Sequence, residues 1–228
     1  MNESSASGFY RDTVGGGEVH FSHGDGESVP QNLRNVGYAV GITTIKACAH
    51  MFGACIASTS VDHPNSITVI EDEAYFCCKI LENLRLSSSL QTIGVESFYG
   101  CSSITRLELP PTLHTIKKKA FKDCDSLRLI APQQQHETLS LRTIERWAFM
   151  RCHALRTIPH MPSLVTIGPE AFGWCSSLTE VTLGTTVTSA ARDSFKNCRS
   201  LAVLKCTYYT HAILPWAVTH VALDPATD

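Results

Sequence analysis

The sequence predicts a solenoid, a chain wound into a stack of coils of about 23 residues that each bury the same few side chains. Two observations carry this. Residues 93–109 read IGVESFYGCSSITRLEL and residues 167–183 read IGPEAFGWCSSLTEVTL, and their apolar positions coincide. Cys78, Cys101, Cys124, Cys152, Cys175 and Cys198 are spaced by 23, 23, 28, 23 and 23 residues, always at the same place in the motif. Self-similarity at such a period is what a stacked array leaves in its sequence.

Each coil opens on Ile70, Ile93, Ile116, Ile144, Ile167 or Ala190, and five residues later comes Tyr75, Phe98, Phe121, Phe149, Phe172 or Phe195. Behind the cysteines follow Leu81, Ile104, Leu127, Leu155, Leu178 and Leu201, then Leu84, Leu107, Ile130, Ile158, Val181 and Leu204. No coil could bury these side chains alone, so stacking must do it. With these columns the period is that of a leucine-rich repeat solenoid. The stretch between aromatic and cysteine is short, a single turn and not a full helix.

Residues 1–29 are rich in Gly, Ser and charge without periodicity and read as a flexible arm. The solenoid domain is expected over 30–228. Within it, 30–66 holds an N-terminal cap (Leu33, Val36, Tyr38) and a degenerate coil from Ile42–Ile45 to Val61, in which Phe52 and Cys55 come two residues late. Six regular coils fill 67–206. A C-terminal cap occupies 207–228, where Val218, Val221 and Leu223 make one more strand half. Tyr208, Tyr209 and Trp216 would cover the last coil, or present an aromatic interaction patch. Five extra residues between Ile116 and Ile144, around Pro132 to Thr138, predict a loop bulging from one edge. The loop reads equally as part of a binding face or as a tolerated insertion.

The frame I-x-x-x-A/S-F-x-x-C-x-x-L-x-x-L-x-L, seen in Ile93–Leu109, Ile144–Ile158 and Ile167–Leu183, resembles BspA-type leucine-rich repeat proteins. The resemblance covers Ile70–Leu204, with a more degenerate match over Leu33–Val61. It implies a right-handed stack with a parallel β-sheet on one face and short turns or 3₁₀ segments on the other. It also implies roles in adhesion or protein–protein recognition, many such proteins being secreted or displayed on surfaces.

Hydrophobic residues make up 43% and charged residues 18% of the chain, with a formal net charge of −2. That describes a folded protein without the basic face that captures nucleic acid or anionic lipid. The N-terminus has no basic segment followed by an apolar core, and no long apolar run occurs, so an intracellular, cytoplasmic protein without membrane insertion is expected. A secreted or surface location follows if the N-terminus is incomplete.

Six of the ten cysteines share one column and are expected to pack as buried, reduced thiols. His20 and His23 near Asp25 lack a matching ligand cluster, so no metal or cofactor is expected. Phosphate-cradling loops, His-Glu-x-x-His and Gly-x-Ser-x-Gly are absent from the sequence. A thiol enzyme or metal binder using Cys77/Cys78 or Cys152/His153 is the contrasting alternative, opposed by the burial expected of Cys152.

Alternation along the strands turns the neighbours of the buried column outward. Coil by coil these are Asn83 and Arg85; Arg106 and Glu108; Leu129 and Ala131; Thr157 and Pro159; Glu180 and Thr182; Val203 and Lys205. An apolar centre rimmed by Arg85 and Arg106, with Glu180 opposite, is the expected surface for an unidentified protein partner. The alternative is an ordinary solvated sheet face. Lys117, Lys118, Lys119 and Lys122 lie on the other side without interleaved aromatics and read as a solvated turn. The expected function is a non-catalytic interaction scaffold, with an adhesin-like surface protein as alternative.

Overall fold

A computed structural model describes residues 59–134 and 138–205 in full. Of the flanking segments it describes the backbone of short strands at 9–11, 18–20, 35–38, 44–45 and 220–223, and of Cys206. Residues Leu33, Ile42, Phe52, Cys55, His23, Asp25, Tyr208, Tyr209, Trp216, Val218 and 135–137, on which several expectations fell, lie outside the described residues.

Two parallel ribbons run along the stack, where the family pattern led us to expect one sheet. The first pairs seven two-residue strands, from Thr44–Ile45 through Val69–Ile70, Thr92–Ile93, Thr115–Ile116, Thr143–Ile144 and Thr166–Ile167 to Ser189–Ala190. From Thr92–Ile93 to Thr166–Ile167 threonine pairs with threonine and isoleucine with isoleucine, as in Thr115↔Thr143 and Ile116↔Ile144, while Val69 and Ser189–Ala190 depart from this at the ends. Such β-branched pairs suit a half-buried pleated surface. The second ribbon contains the longer strands Ser60–Asp62, Asn83–Arg85, Arg106–Leu109, Leu129–Pro132, Glu180–Thr182, Val203–Cys206 and His220–Leu223.

The second ribbon is interrupted twice. Asn83–Arg85 and Arg106–Leu109 lie side by side in separate ladders. In the fourth coil Thr157 alone bridges to Leu129 and Glu180. Pro159, which has no N–H to give, stands where that coil's strand would continue. Ile158 accordingly sits only half-buried against the core.

At the N-terminal end, Asn35–Tyr38 is parallel to Ser60–Asp62 with Val36 opposite Val61. Phe9–Arg11 and Glu18–His20, inside the segment expected to be a flexible arm, form an antiparallel pair, and the first also pairs with Asn35–Tyr38. Strands of three residues are too short to leave a readable period.

Between the ribbons the chain runs through consecutive turns, with neither α- nor 3₁₀-helix among the described residues. The backbone shows why. In the second coil the N–H groups of Glu96, Phe98 and Gly100 donate along the stack to the carbonyls of Lys118, Ala120 and Lys122, at 3.0, 2.8 and 2.8 Å. Lys119, Phe121 and Asp123 do the same to Arg146, Ala148 and Met150. Other amides close i→i−3 turns within the coil, such as Tyr99 to Glu96 and Cys101 to Phe98. A helix would spend every amide inside its own coil and leave none for its neighbour.

This alternation needs a left-handed residue at two places in the turn. Glu96 and Gly100, Lys119 and Asp123, Trp147 and Arg151, and Glu170 and Trp174 all have φ between 48° and 68°. For a residue with a side chain this costs about 1 kcal/mol or more. At every one of these residues but Glu170 the amide bonds to a carbonyl of the next coil and holds it there.

The core is a set of continuous columns. Tyr75, Phe98, Phe121, Phe149, Phe172 and Phe195 form one stack, with ring centroids 4.9–5.4 Å apart and planes within 8° of parallel. The coil spacing imposes this face-to-face order, because identical rings must repeat at the strand separation. The cysteines pack beside them and also donate. Each thiol from Cys101 to Cys198 points its S–H at the carbonyl of the aromatic one coil earlier, Cys101 to Tyr75 at 3.2 Å and Cys198 to Phe172 at 3.0 Å. A hydrophobe of the same size could not make that bond.

The five extra residues of the third coil leave between Leu129–Pro132 and Thr143–Ile144, and the register of the stack is kept by Ile116 opposite Ile144. Gln133 anchors the start of the loop. Its N–H donates to Leu109 O at 3.0 Å and its side-chain Nε2 to Leu86 O at 2.8 Å, reaching back across two coils.

Truncating Phe121 to Ala should cost about 3–5 kcal/mol, read from denaturant midpoints. Ser97 goes the other way: its buried hydroxyl has no hydrogen-bond partner, in a position where the neighbouring coils carry Ala74 and Ala120. Ser97→Ala should therefore stabilise by about 1 kcal/mol in the same assay.

Candidate functional site

On the second ribbon the strand residues alternate as predicted. Leu84, Leu107, Ile130, Val181 and Leu204 are buried, while Asn83, Arg85, Arg106, Thr157, Glu180 and Lys205 are exposed. Glu108, Leu129, Ala131, Pro159 and Thr182 are half-exposed. Register brings them into two outward rows. Arg106, Leu129, Thr157 and Glu180 follow one another across the strands, and Glu108 lies opposite Ala131 beside them. The apolar middle of the face is therefore one patch, Leu129 with Ala131 and Pro159.

Most of its charges are satisfied within the face. Arg85 faces Asp62 at 3.4 Å, Arg106 holds Glu108 at 2.7 Å, and Lys205 holds Glu180 at 2.6 Å. Such exposed pairs add little stability, but they leave Arg85 and Arg106 less available than unpaired rim arginines. A shallow, open depression of about 400 Å³ lies at the interruption between Asn83–Arg85 and Arg106–Leu109, lined by Asp62, Asn83, Arg85, Arg106 and Glu108 among others.

Two residues that sequence reasoning missed stand at the leading corner of this face. Arg128 and Arg156 are exposed, and neither guanidinium has a hydrogen-bond or ion-pair partner among the described residues. Arg156 N–H donates to Arg128 O at 3.0 Å, which places them in consecutive coils side by side. Alternation alone would have turned them inward. The corner preceding each strand breaks that alternation.

The lysine cluster on the turn face has aromatic neighbours after all. They come from adjacent coils and so were invisible as interleaving. Lys118 and Lys119 each lie 5.8 Å from the Trp147 ring, Arg146 stacks on it at 3.7 Å, and Lys122 lies 4.7 Å from Tyr99. Lys117, Lys119 and Lys122 also reach Asp72, Glu96 and Asp123, at 3.8, 2.6 and 2.7 Å. The cluster is thus largely committed to holding coils together.

The thiol alternative meets a consistent obstacle. Burial pushes the Cys124, Cys152 and Cys175 thiols well above the ordinary range, against thiolate formation. Burial also raises the partly exposed Cys77. Cys152 donates to Phe121 O at 3.2 Å, while His153 is exposed and faces Asp125 at 3.9 Å. Among the described residues no group of His, Cys, Asp and Glu could hold a metal ion.

At the N-terminal end of the aromatic stack sits a buried histidine. His63, 2% exposed, occupies the column held by Leu86 and Leu109 in the next coils. Its Nδ1 donates to Arg85 O at 2.9 Å, and its Nε2 accepts the Tyr75 hydroxyl at 2.8 Å. A carbonyl can only accept, so this neutral tautomer satisfies both bonds. Desolvation lowers its pKa to about 4, against the partly offsetting bond to Arg85 and the charge of Asp62.

Two predictions follow from these environments. Counting alkylatable thiols should show Cys78, Cys101, Cys124, Cys152, Cys175 and Cys198 reacting only after denaturation, and fast native labelling of Cys152 would overturn its burial. On acidification the unfolded chain protonates His63 before the folded one does. The histidine's contribution is therefore complete above its unfolded pKa of 6.5 and is lost as pH falls towards about 4, a loss on the order of 3 kcal/mol. His63→Leu should flatten that part of the stability–pH curve.

The model of the BspA type leucine rich repeat region matches residues 30–140 and 136–217, in six copies. Among solved structures, a T. pallidum leucine-rich repeat protein is 32% identical over 51% of this chain and 52% of its own, with a TM-score of 0.47. A leucine-rich repeat protein from Bacteroides ovatus is 16% identical, covering 91% of this chain and 65% of that one at a TM-score of 0.39. A leucine rich cell surface protein from Faecalibacterium prausnitzii is 13% identical, covering 92% and 89% at a TM-score of 0.30. The chain spans about half the length of the T. pallidum protein. No curated protein matches the sequence. With the repeat model covering most of the chain and the column pattern present in the fold, this protein belongs to the BspA-type leucine-rich repeat family.

Proposed function

We propose that the chain is a non-catalytic scaffold that binds a protein partner through the face of its longer-stranded ribbon. The observation that carries this is the uncovered apolar patch of Leu129, Ala131 and Pro159, framed by Asn83, Arg85, Arg106, Glu108, Thr157, Glu180, Thr182 and Lys205. Apolar side chains left half-exposed inside a charged frame are the composition of a recognition surface. A solenoid presents such a surface as a rigid, extended strip. Gln133, directly after the Leu129–Pro132 strand, is fixed to Leu86 and Leu109 beside this strip.

Family membership supports a second reading, an adhesin-like protein at a cell surface. Among the described residues no helix is long and apolar enough to cross a membrane.

Affinity capture from cell extract and from intact cells tests both readings, comparing wild type with an Arg106→Glu/Leu129→Asp variant of unchanged thermal midpoint. A partner held by the wild type and lost by the variant is the expected result. Equal capture by both would remove the ribbon face from consideration. Capture only from intact cells would favour the surface reading.

A further inference from the structure

We infer that Arg128 and Arg156 are the anion-reading pair of this face, and that its partner presents an acidic peptide segment in which carboxylates alternate with apolar side chains. The inference rests on the ribbon-face reading above and names the chemistry of its partner.

Three observations converge on it. The first is position. The bond from Arg156 N–H to Arg128 O and the bridge between Leu129 and Thr157 fix the two arginines at the same corner of consecutive coils. Neighbouring strands are about 4.8 Å apart, and like charges facing across such a pairing repel. Elsewhere this column carries Glu82, Thr105, Thr179 and Ala202, so adjacent coils in it avoid like charges. Only the third and fourth coils accept the cost.

The second is availability. Arg85, Arg106 and Lys205 all have carboxylates on the same face, and three of the turn-face lysines have their own. Arg128 and Arg156 have none among the described residues. The planar guanidinium fork matches a carboxylate with two parallel hydrogen bonds.

The third is company. The pair flanks the half-exposed Leu129, with Ala131 and Pro159 beyond it. An occupant must therefore bring apolar groups as well as negative charge. Single-stranded nucleic acid would need aromatic platforms, and residues 82–85, 105–108, 128–131, 156–159, 179–182 and 202–205 contain no Phe, Tyr or Trp.

Selection of displayed random peptides on the full chain tests this. Parallel selections use Arg128→Glu/Arg156→Glu and Leu129→Asp variants, each with the wild-type thermal midpoint. The wild type should enrich peptides with Asp or Glu beside Leu, Ile, Val or Phe, and the charge-reversed variant should enrich Lys or Arg instead. Replacing Glu by Gln in a selected peptide should weaken binding about tenfold, the loss of one charge-assisted contact. Acidic enrichment that persists on the reversed variant would overturn the inference, as would no enrichment, or binding of heparin or phosphopeptide in place of carboxylate peptides. Loss of binding with Leu129→Asp but not with the arginine reversal would keep the ribbon face and discard the acidic partner. No effect of either variant on wild-type-selected peptides would discard both.

Discussion

The described stack depends on one backbone constraint: around most of its circuit each coil satisfies the polar groups of its neighbours. In the ribbons the strand ladders do this. In the turns it requires alternate amides, such as those of Glu96, Phe98 and Gly100, to point along the stack. Bending the chain that way puts Glu96, Lys119, Trp147 and Glu170 into left-handed conformations. Glycine would adopt these at least local cost, yet among the described residues it appears at only one of the positive-φ positions, Gly100. The strain is tolerated because it is coupled to a hydrogen bond a buried amide could not otherwise make. Once the backbone repeats in register, like side chains must stack, and the phenylalanine and cysteine columns follow.

The columns were legible for that reason. A side chain pointing inward in successive coils is at most positions apolar and of similar size, and that repetition survives in the sequence. What could not be read was whatever depended on neighbours one or two coils away. The aromatics beside Lys118, Lys119 and Lys122 lie on Trp147 and Tyr99, more than twenty residues from their partners. Gln133 reaches Leu86 across 47 residues. The left-handed positions hide behind Glu, Lys, Trp and Arg, which do not advertise them. The Thr-Ile ribbon was visible in principle, since Thr92–Ile93, Thr115–Ile116, Thr143–Ile144 and Thr166–Ile167 repeat in phase. Two-residue strands are simply shorter than an alternation can reveal.

The candidate face shows the same division. Which residues point outward from the strands followed from alternation, and the burial of Leu107, Ile130 and Val181 fixes it. Which charges are free did not follow, because Arg106 finds Glu108 on its own strand while Arg85 finds Asp62 one coil away. Arg128 and Arg156 sit at the corner where alternation fails.

The location of that face relative to the interruptions of its ribbon is the last step. One interruption separates Asn83–Arg85 from Arg106–Leu109, and the other falls at the fourth coil, where Pro159 replaces a ladder donor. Leu129 and Ala131 lie between them, on strands paired to only one side in a full ladder. The opposite ribbon is continuous over the same coils, and the aromatic column beneath runs unbroken from Tyr75 to Phe195. The half-exposed patch therefore sits where its own ribbon is interrupted, above a core column that is not.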